Sequence, residues 1–430
     1  MTQKYITQQF LITDFEVFYT KMLNWLSKFN IYCLLHNNNY EPNTSGYQIT
    51  VAVNSILTFA HNTNALKGLQ DISNLTGQWL FGHITYNLKN ELENLTTATV
   101  DHIGFPIVQF FVPEMVLQIS SSSCSITSCV AQPQSIYNSI NDNNETLTNA
   151  TNTSITLSPV QSKQAYTTTV NTLKKHVSAG DCYEINYCQN FNASNITINP
   201  VTLYKQLNQA SPMPYSSLYR QGNKYAIGAS PELYITTNGN TITSGPIKGT
   251  IKRNPNPAID AALIQQLTTS VKERAENIMV VDLVRNDLSK ICLPQTVQVS
   301  KLCEVKSYKQ VHHLVSTVTG TLHPSSNFAT IIAATFPMGS MTGAPKVKVM
   351  QLIDNYENTN RGLYSGTIGY IQPNGNLNFN VVIRSILYNA ANKYISYTVG
   401  SGITAYCEAE AEYDECLLKA QAMEQVLSNS

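Results

Sequence analysis

Charge is scarce in this chain. Only 13% of its 430 residues are Asp, Glu, Lys or Arg, and 27 basic and 27 acidic side chains leave a formal net charge of zero. A nucleic-acid partner would need a basic stripe to meet its phosphates, so none is expected, and a membrane-surface role is disfavoured on the same ground. Long apolar runs are missing as well. No stretch approaches the roughly 20 residues that span a bilayer. Met1 to Asp14 lacks a basic segment followed by an apolar one, so no signal peptide is expected and the predicted location is cytoplasmic. The nine cysteines include no Cys-x-x-Cys pair and are irregularly spaced, which points to small buried thiols and away from disulfides or a zinc site.

What is present is apolar bulk. Hydrophobic residues make up 43% of the chain, enough for a sizeable core in one large domain or two to three ordinary ones. Residues 1–118 alternate short apolar runs with polar turns. A helix is predicted from Asp14 to Phe29, where Phe15, Phe18, Met22, Trp25 and Leu26 recur near a 3.6 period. Tyr47 to Thr58 and Ile107 to Val112 read as strands. Residues 119–160 hold Ser120 to Ser123 and an Asn/Thr-rich stretch, and the composition predicts a loop or linker.

Residues 161–430 change texture again. Helices are predicted over Tyr166 to Ser178, Ala258 to Met279, Asn327 to Thr335, Ala344 to Tyr356 and Glu408 to Leu427. Strands are predicted over Cys182 to Gln189, Tyr225 to Ser230, Leu233 to Thr237 and Asn240 to Thr243, the last two joined by an Asn238-Gly239 turn. Leu363 to Gln372, Leu377 to Tyr388 and Tyr394 to Gly400 are expected to form an antiparallel meander. Helices and strands mix without βαβ alternation, so the class is α+β.

Several side chains stand out chemically. Glu273 and Glu276 share a helix face, and Glu412 and Glu415 repeat the spacing in the last helix. Two such faces brought together suit a hard cation that wants oxygen ligands, with magnesium the expected one. Taken alone, each pair reads as a solvated face, with Lys419 as an i,i+4 partner of Glu415. Lys248 sits in Gly245-Pro-Ile-Lys-Gly-Thr250, where flanking glycine lets a ligand approach; a buried lysine there can serve as a nucleophile, an exposed one is an ordinary turn residue. Glu232, after Ser230-Pro231, is a candidate general acid if burial keeps its proton on. Thr342, in Gly339-Ser-Met-Thr-Gly-Ala-Pro-Lys346, is a candidate N-cap, and the amides there are a candidate anion site. Gly400-Ser-Gly402 is a candidate amide nest for a carboxylate. Arg384 can grip a carboxylate with two parallel bonds. His313 lies in Val311-His-His-Leu-Val-Ser316, where a core histidine is the ordinary expectation.

Together these blocks resemble the chorismate-binding enzymes, which include the large subunits of anthranilate synthase and aminodeoxychorismate synthase and the isochorismate and salicylate synthases. The resemblance runs from about residue 164 to the end. It rests on Ser230-Pro-Glu-Leu233, Pro246-Ile-Lys-Gly-Thr250, Glu276 to Leu288, His313-Leu-Val-Ser316, Thr342-Gly-Ala-Pro-Lys346, Arg361-Gly-Leu-Tyr-Ser-Gly366, Ile383-Arg384, Gly400-Ser-Gly-Ile403 and Glu412 to Lys419. It implies two stacked antiparallel sheets flanked by helices, with the active site in the cleft between them. It implies that Glu276 and Glu415 ligate Mg2+, with Glu273 and Glu412 as outer partners, and that Glu232 protonates the departing C4 hydroxyl. Arg384 and Tyr364 would bind the pyruvyl carboxylate. Gly249, Thr250, His313, Thr342, Ile383, Gly400, Gly402 and Lys419 would complete the substrate pocket. In the aminodeoxychorismate synthases the lysine at position 248 is the nucleophile, whereas anthranilate synthases carry alanine there. The resemblance therefore points to conversion of chorismate and ammonia to 4-amino-4-deoxychorismate, the precursor of 4-aminobenzoate and folate. The alternatives are anthranilate synthesis or a non-catalytic relative. No glutaminase signature occurs in the chain, so a separate glutamine amidotransferase subunit is implied as the ammonia source. Glu184 stands where many relatives carry glutamine and where the water-activating ones carry lysine, which disfavours isochorismate and salicylate synthesis. The tryptophan pocket known in relatives is matched on one side by Pro212-Met-Pro-Tyr215, but Leu34-Leu35 is followed by His36-Asn37 where a Glu-Ser pair would be needed.

Overall fold

The computed structural model describes residues 4–40, 46–144 and 154–429. Its architecture is α+β. Among the described residues are a twelve-stranded sheet and a ten-stranded sheet, both with antiparallel pairings throughout. Period-two alternation divides the central strands of the larger sheet between two cores. In Ile31–His36, Tyr32 and Leu34 face a helix-covered core that also takes Phe18, Met22, Tyr166, Leu203 and Met423. Cys33 points the other way, into a second core shared with Phe81, Phe110, Ile235 and Phe379 of the smaller sheet. The two sheets thus meet face to face, as expected, with helices outside.

The strands of the first 118 residues are shared between the sheets. Ile31–His36 pairs with Tyr215–Gln221 in the larger one, and Leu80–Ile84 pairs with Thr367–Ile371 in the smaller. The stretch read as a loop or linker, 119–160, is largely built into the fold. Ser123–Ser128 is a strand between Ile6–Leu11 and Met115–Ile119, and Pro133–Asn141 is a helix. Cys124 and Ile126 alternate into the core while Ser123, Ser125 and Thr127 occupy the other face, so a polar composition conceals a strand period. The Asn/Thr-rich residues 145–153 lie outside the described residues.

Three further differences bear on the cleft. The helix predicted from Ala258 to Met279 is two helices, Pro257–Thr269 and Val271–Ser289, broken at an extended Ser270 whose hydroxyl accepts from Glu273 N at 3.3 Å. Serine is a strong N-cap, and here it ends one helix and caps the next. The predicted meander is split: Thr367–Ile371 and Leu377–Asn380 belong to the smaller sheet, while Ser385–Asn389 and Tyr394–Ile403 belong to the larger. The chain crosses between sheets over residues 381–384. Thr342 is not an N-cap. Pro345 holds that position for Lys346–Tyr356, and the Thr342 hydroxyl donates to Met338 O at 3.1 Å.

Candidate active site

Two crossings between the sheets lie side by side and lock together. One carries Ser230-Pro231-Glu232 from Lys224–Ser230 to Leu233–Asn238; the other carries residues 381–384 back. Ser230 Oγ donates to Val381 O at 2.6 Å, and Val381 N donates to Glu232 O at 3.0 Å. Arg384 completes its crossing with φ +51, a left-handed conformation uncommon for a residue with a side chain. This seam is one wall of a cleft of about 750 Å³.

The opposite wall comes from Ile247–Lys252. This strand pairs with Val311–Thr321 through a register shift between Ile247 and Thr250, and Gly249 takes φ +93 there. The irregularity turns Lys248 into the cleft, as bulges commonly do at functional sites. Val271–Ser289 contributes Glu273 and Glu276, Ala409–Ser428 contributes Glu415 and Lys419, and Tyr394–Ile403 contributes Gly400 and Gly402.

Of the residues singled out in the sequence, Lys248, Glu232, Gly249, Thr250, His313, Tyr364, Ile383, Arg384, Gly400, Gly402, Lys419, Glu273, Glu276 and Glu415 line this one cleft. Two do not. Thr342 is fully buried behind the wall, and Glu412 is buried against Lys272 Nζ at 3.1 Å. Ser340, Asn186 and Thr398 line the cleft and were not anticipated. Ser340 had a signal, a small polar residue in an otherwise apolar Phe-Pro-Met-Gly-Ser-Met run.

The electrostatics differ sharply across the cleft. Glu232 is buried, and that pushes its carboxyl up to about 7; Ser340 Oγ, donating to Glu232 Oε1 at 2.6 Å, and the nearby Lys248 pull the other way. A carboxyl there can hold its proton near neutral pH and release it to a leaving group. Lys248 donates to Glu184 Oε1. Burial alone would lower its ammonium, but Glu184, Glu276 and Glu415 together hold it above the ordinary lysine value. His313 is kept neutral by burial, down to about 3; its Nδ1 lies 2.8 Å from Thr250 Oγ1, and its Nε2 is buried with no hydrogen-bond partner. Burial also lowers Arg384, to about 10.

The acidic face is not neutralised by the protein alone. Burial raises both Glu276 and Glu273. Glu276 Oε1 is buried without a hydrogen-bond partner; the nearest cation is Lys272 Nζ, at 3.9 Å. Burial would raise Glu415 too, but Lys419 at 2.7 Å reverses this, and Lys419 also donates to Gly400 O at 2.7 Å. Among the described residues no three His, Cys, Asp or Glu side chains converge as a ready-made metal cluster. Behind the cleft, buried Arg361 ties together the segments that carry Asn186 and Met341. It donates to Glu357 Oε1 and Oε2 at 2.6 and 2.8 Å, to Met341 O at 2.7 Å and to Asn186 O at 2.8 Å.

A larger cleft, of about 1150 Å³, lies elsewhere between the sheets, with Leu35, His36, Pro214, Tyr215 and Tyr308 in its walls. No carboxylate lines it among the described residues.

A cleft with acid, lysine, arginine and carboxylates at opposing walls defines an enzyme for a small polyanion. The family described as chorismate binding enzyme matches residues 32–425. The chain belongs to the chorismate-binding enzymes. It is 30% identical over 375 residues to an anthranilate synthase component I-like protein of Synechocystis, covering 86% of this chain and 77% of that one. It is 38% identical over 243 residues to aminodeoxychorismate synthase component 1 of Escherichia coli, covering 56% of this chain and only 53% of that relative. The anthranilate synthase component I structure from Streptococcus pneumoniae superimposes with a TM-score of 0.76 at 26% identity, over 92% of each chain. The menaquinone-specific isochorismate synthase of Escherichia coli shares the fold, with a TM-score of 0.76 at 16% identity over 99% of this chain and 95% of that one. Among the described residues no helix is long and apolar enough to cross a membrane.

Proposed function

We propose that this chain is the large subunit of an aminodeoxychorismate synthase, converting chorismate and ammonia to 4-amino-4-deoxychorismate for 4-aminobenzoate and folate synthesis. The observation that carries the reading is Lys248, turned by the Gly249 irregularity into the same cleft as the buried acid Glu232. A lysine so placed supports double displacement. Lys248 attacks C2 of the ring while the C4 hydroxyl leaves with the proton of Glu232. Ammonia then takes C4 and expels the lysine. Arg384, with its guanidinium in the cleft, and Tyr364 suit the pyruvyl carboxylate, and Lys419 with Gly400 and Gly402 suits the ring carboxylate. Neutral His313 contributes a polar edge without adding charge beside the ring.

The oxygen-rich acidic face fits Mg2+, since hard cations take carboxylate oxygens and Glu276 Oε1 is buried without a hydrogen bond. Glu276 and Glu415 would hold the ion, with Glu273 beside them and Glu412 held back by Lys272. When bound, the ion supplies a positive counter-charge for the ring carboxylate and for the glutamates. A glutamine amidotransferase partner is part of the same reading, because ammonia needs a source.

A second reading is anthranilate synthase component I. The observation that favours it is the extent of the Synechocystis and Streptococcus pneumoniae likenesses, which cover more of the chain than the Escherichia coli aminodeoxychorismate synthase match does. One assay separates the two: purified protein with chorismate, Mg2+ and ammonium, with product identification by chromatography and mass. 4-Amino-4-deoxychorismate is expected, and Lys248→Ala is expected to lose most of it. Anthranilate as the product, or full activity in Lys248→Ala, would sink the lysine argument.

A further inference from the structure

Lys248 enters the cleft already paired. Its Nζ donates to Glu184 Oε1, and Glu184 Oε2 is buried with no hydrogen-bond partner. Glu184 opens the strand Glu184–Ala193 and is 1% exposed. Its backbone is fixed on both sides, since Tyr183 N donates to Ala344 O at 2.7 Å and the Glu184–Ala344 and Ile185–Ile403 positions are paired. Gly402 closes the arrangement. A Cβ there would lie 2.7 Å from Glu184 Oε1 and 2.9 Å from Lys248 Nζ, so the carboxylate and ammonium pack against bare backbone.

This geometry poses a chemical problem for double displacement. An ammonium has no lone pair and cannot attack carbon, so Lys248 must lose one proton as it reaches the ring. The acidic groups facing it are Glu184, Glu232, Glu273, Glu276 and Glu415. Glu232 is committed as the acid, and Glu273, Glu276 and Glu415 belong to the cation face. Glu184 alone touches the nitrogen.

We propose that Glu184 is a catalytic base that takes the proton of Lys248 as the lysine attacks, an inference that rests on the synthase reading above. The step balances. The Lys248 proton passes to Glu184 as the nitrogen bonds to C2. The two ring double bonds shift, and the C4–O bond breaks with the Glu232 proton to release water. Ammonia then bonds to C4, the double bonds return, and the C2–N bond breaks. The new C4 ammonium restores the proton of Glu232, and the released amine recovers its own from Glu184.

The test is Glu184→Gln, which keeps the shape and still accepts a hydrogen bond from Lys248 but cannot take its proton. With chorismate, Mg2+ and ammonium, product formation at saturating chorismate is expected to fall at least about a hundredfold, the usual scale for a lost base. The KM for chorismate is expected to stay within about threefold, since uniform binding is untouched. Without ammonium, wild type is expected to gain the mass of chorismate less one water on Lys248, and the variant to gain it correspondingly slowly. A Glu184→Gln rate equal to wild type would overturn the base assignment while leaving the synthase reading intact. Wild type that forms neither adduct nor 4-amino-4-deoxychorismate would overturn both. If Glu184→Gln does not fold, Glu184→Asp carries the test: retention of more than about a tenth of the wild-type rate supports the base, and a rate as low as that of Lys248→Ala overturns it.

Discussion

Removing the Ser340 hydroxyl isolates the proton on Glu232. Ser340→Ala deletes a 2.6 Å bond to Glu232 Oε1 inside a buried site and leaves the cleft shape almost unchanged. A bond to a charged group is worth about 1.5–3 kcal/mol, and one pKa unit corresponds to about 1.4 kcal/mol, so the gross effect is about one to two units upward. Serine also bonds to the protonated acid, and only the difference between the two states counts, so the lower end applies: Glu232 should move from about 7 to about 8. An acid must be protonated to act, so the variant should stay active to higher pH, not lower. The assay is kcat/KM for chorismate against pH, with free ammonia held constant and product formation followed. The falling limb should move up by about one unit. A limb that stays put or moves down would refute the assignment of Glu232 as the acid tuned by Ser340. Stability offers a second readout with a fixed sign. A carboxyl raised in the folded state stabilises the fold below its ordinary value of 4.5 and loses that contribution as pH climbs through about 7. Ser340→Ala should steepen the loss, so urea unfolding should show a larger deficit, by about 1 kcal/mol, at about pH 9 than at about pH 5.

Other perturbations separate site from scaffold. Gly402→Ala places a methyl against the ammonium of Lys248 and against Glu184 Oε1, so turnover should fall at least about tenfold with little change in melting temperature; unaltered turnover would contradict the close packing. Gly366→Ala instead drives a Cβ to 2.3 Å from Ile84 O, a backbone atom, and urea denaturation should show a loss of several kcal/mol, about 2 or more. Arg361→Leu strands Glu357 and frees the carbonyls of Met341 and Asn186, so it should cost about 3–5 kcal/mol, measured in the same way. Chelation with EDTA should abolish turnover, and Mg2+ titration followed by calorimetry should show binding to wild type that Glu276→Gln weakens at least about tenfold; equal binding would remove Glu276 from the cation face.

The parts of this molecule that sequence revealed are those governed by local periodicity or carried by a shared block of residues. The first helix was legible because Phe18, Met22, Trp25 and Leu26 repeat on one face and are buried there. Most of the cleft was legible through the blocks shared with the chorismate-binding enzymes, because each lysine, arginine or glutamate taken alone reads as an ordinary surface residue. Sequence did not reveal where the chain changes partners. Nothing local in residues 381–384 says that one strand pairs in one sheet and the next in the other, because pairing is a long-range choice. Ser270 looks like a tolerable helix residue until its cap is seen. Ser120 to Ser128 looks like linker because composition hides the alternation of Cys124 and Ile126. Thr342 sat in the right block but is buried behind the wall, a rotation no motif records, while Glu412 stands behind the cleft on Lys272.

The sharing of early strands between both sheets has a consequence for how the enzyme can be divided. A fragment starting near residue 161 would retain nearly every cleft residue. It would also strip Tyr215–Gln221 and Thr367–Ile371 of the neighbours supplied by Ile31–His36 and Leu80–Ile84. Two rows of open amides and carbonyls would then face solvent, each a template for another chain. Such a fragment is expected to associate through those edges before it could bind chorismate, which makes the early strands a covering for the catalytic half as well as part of its core.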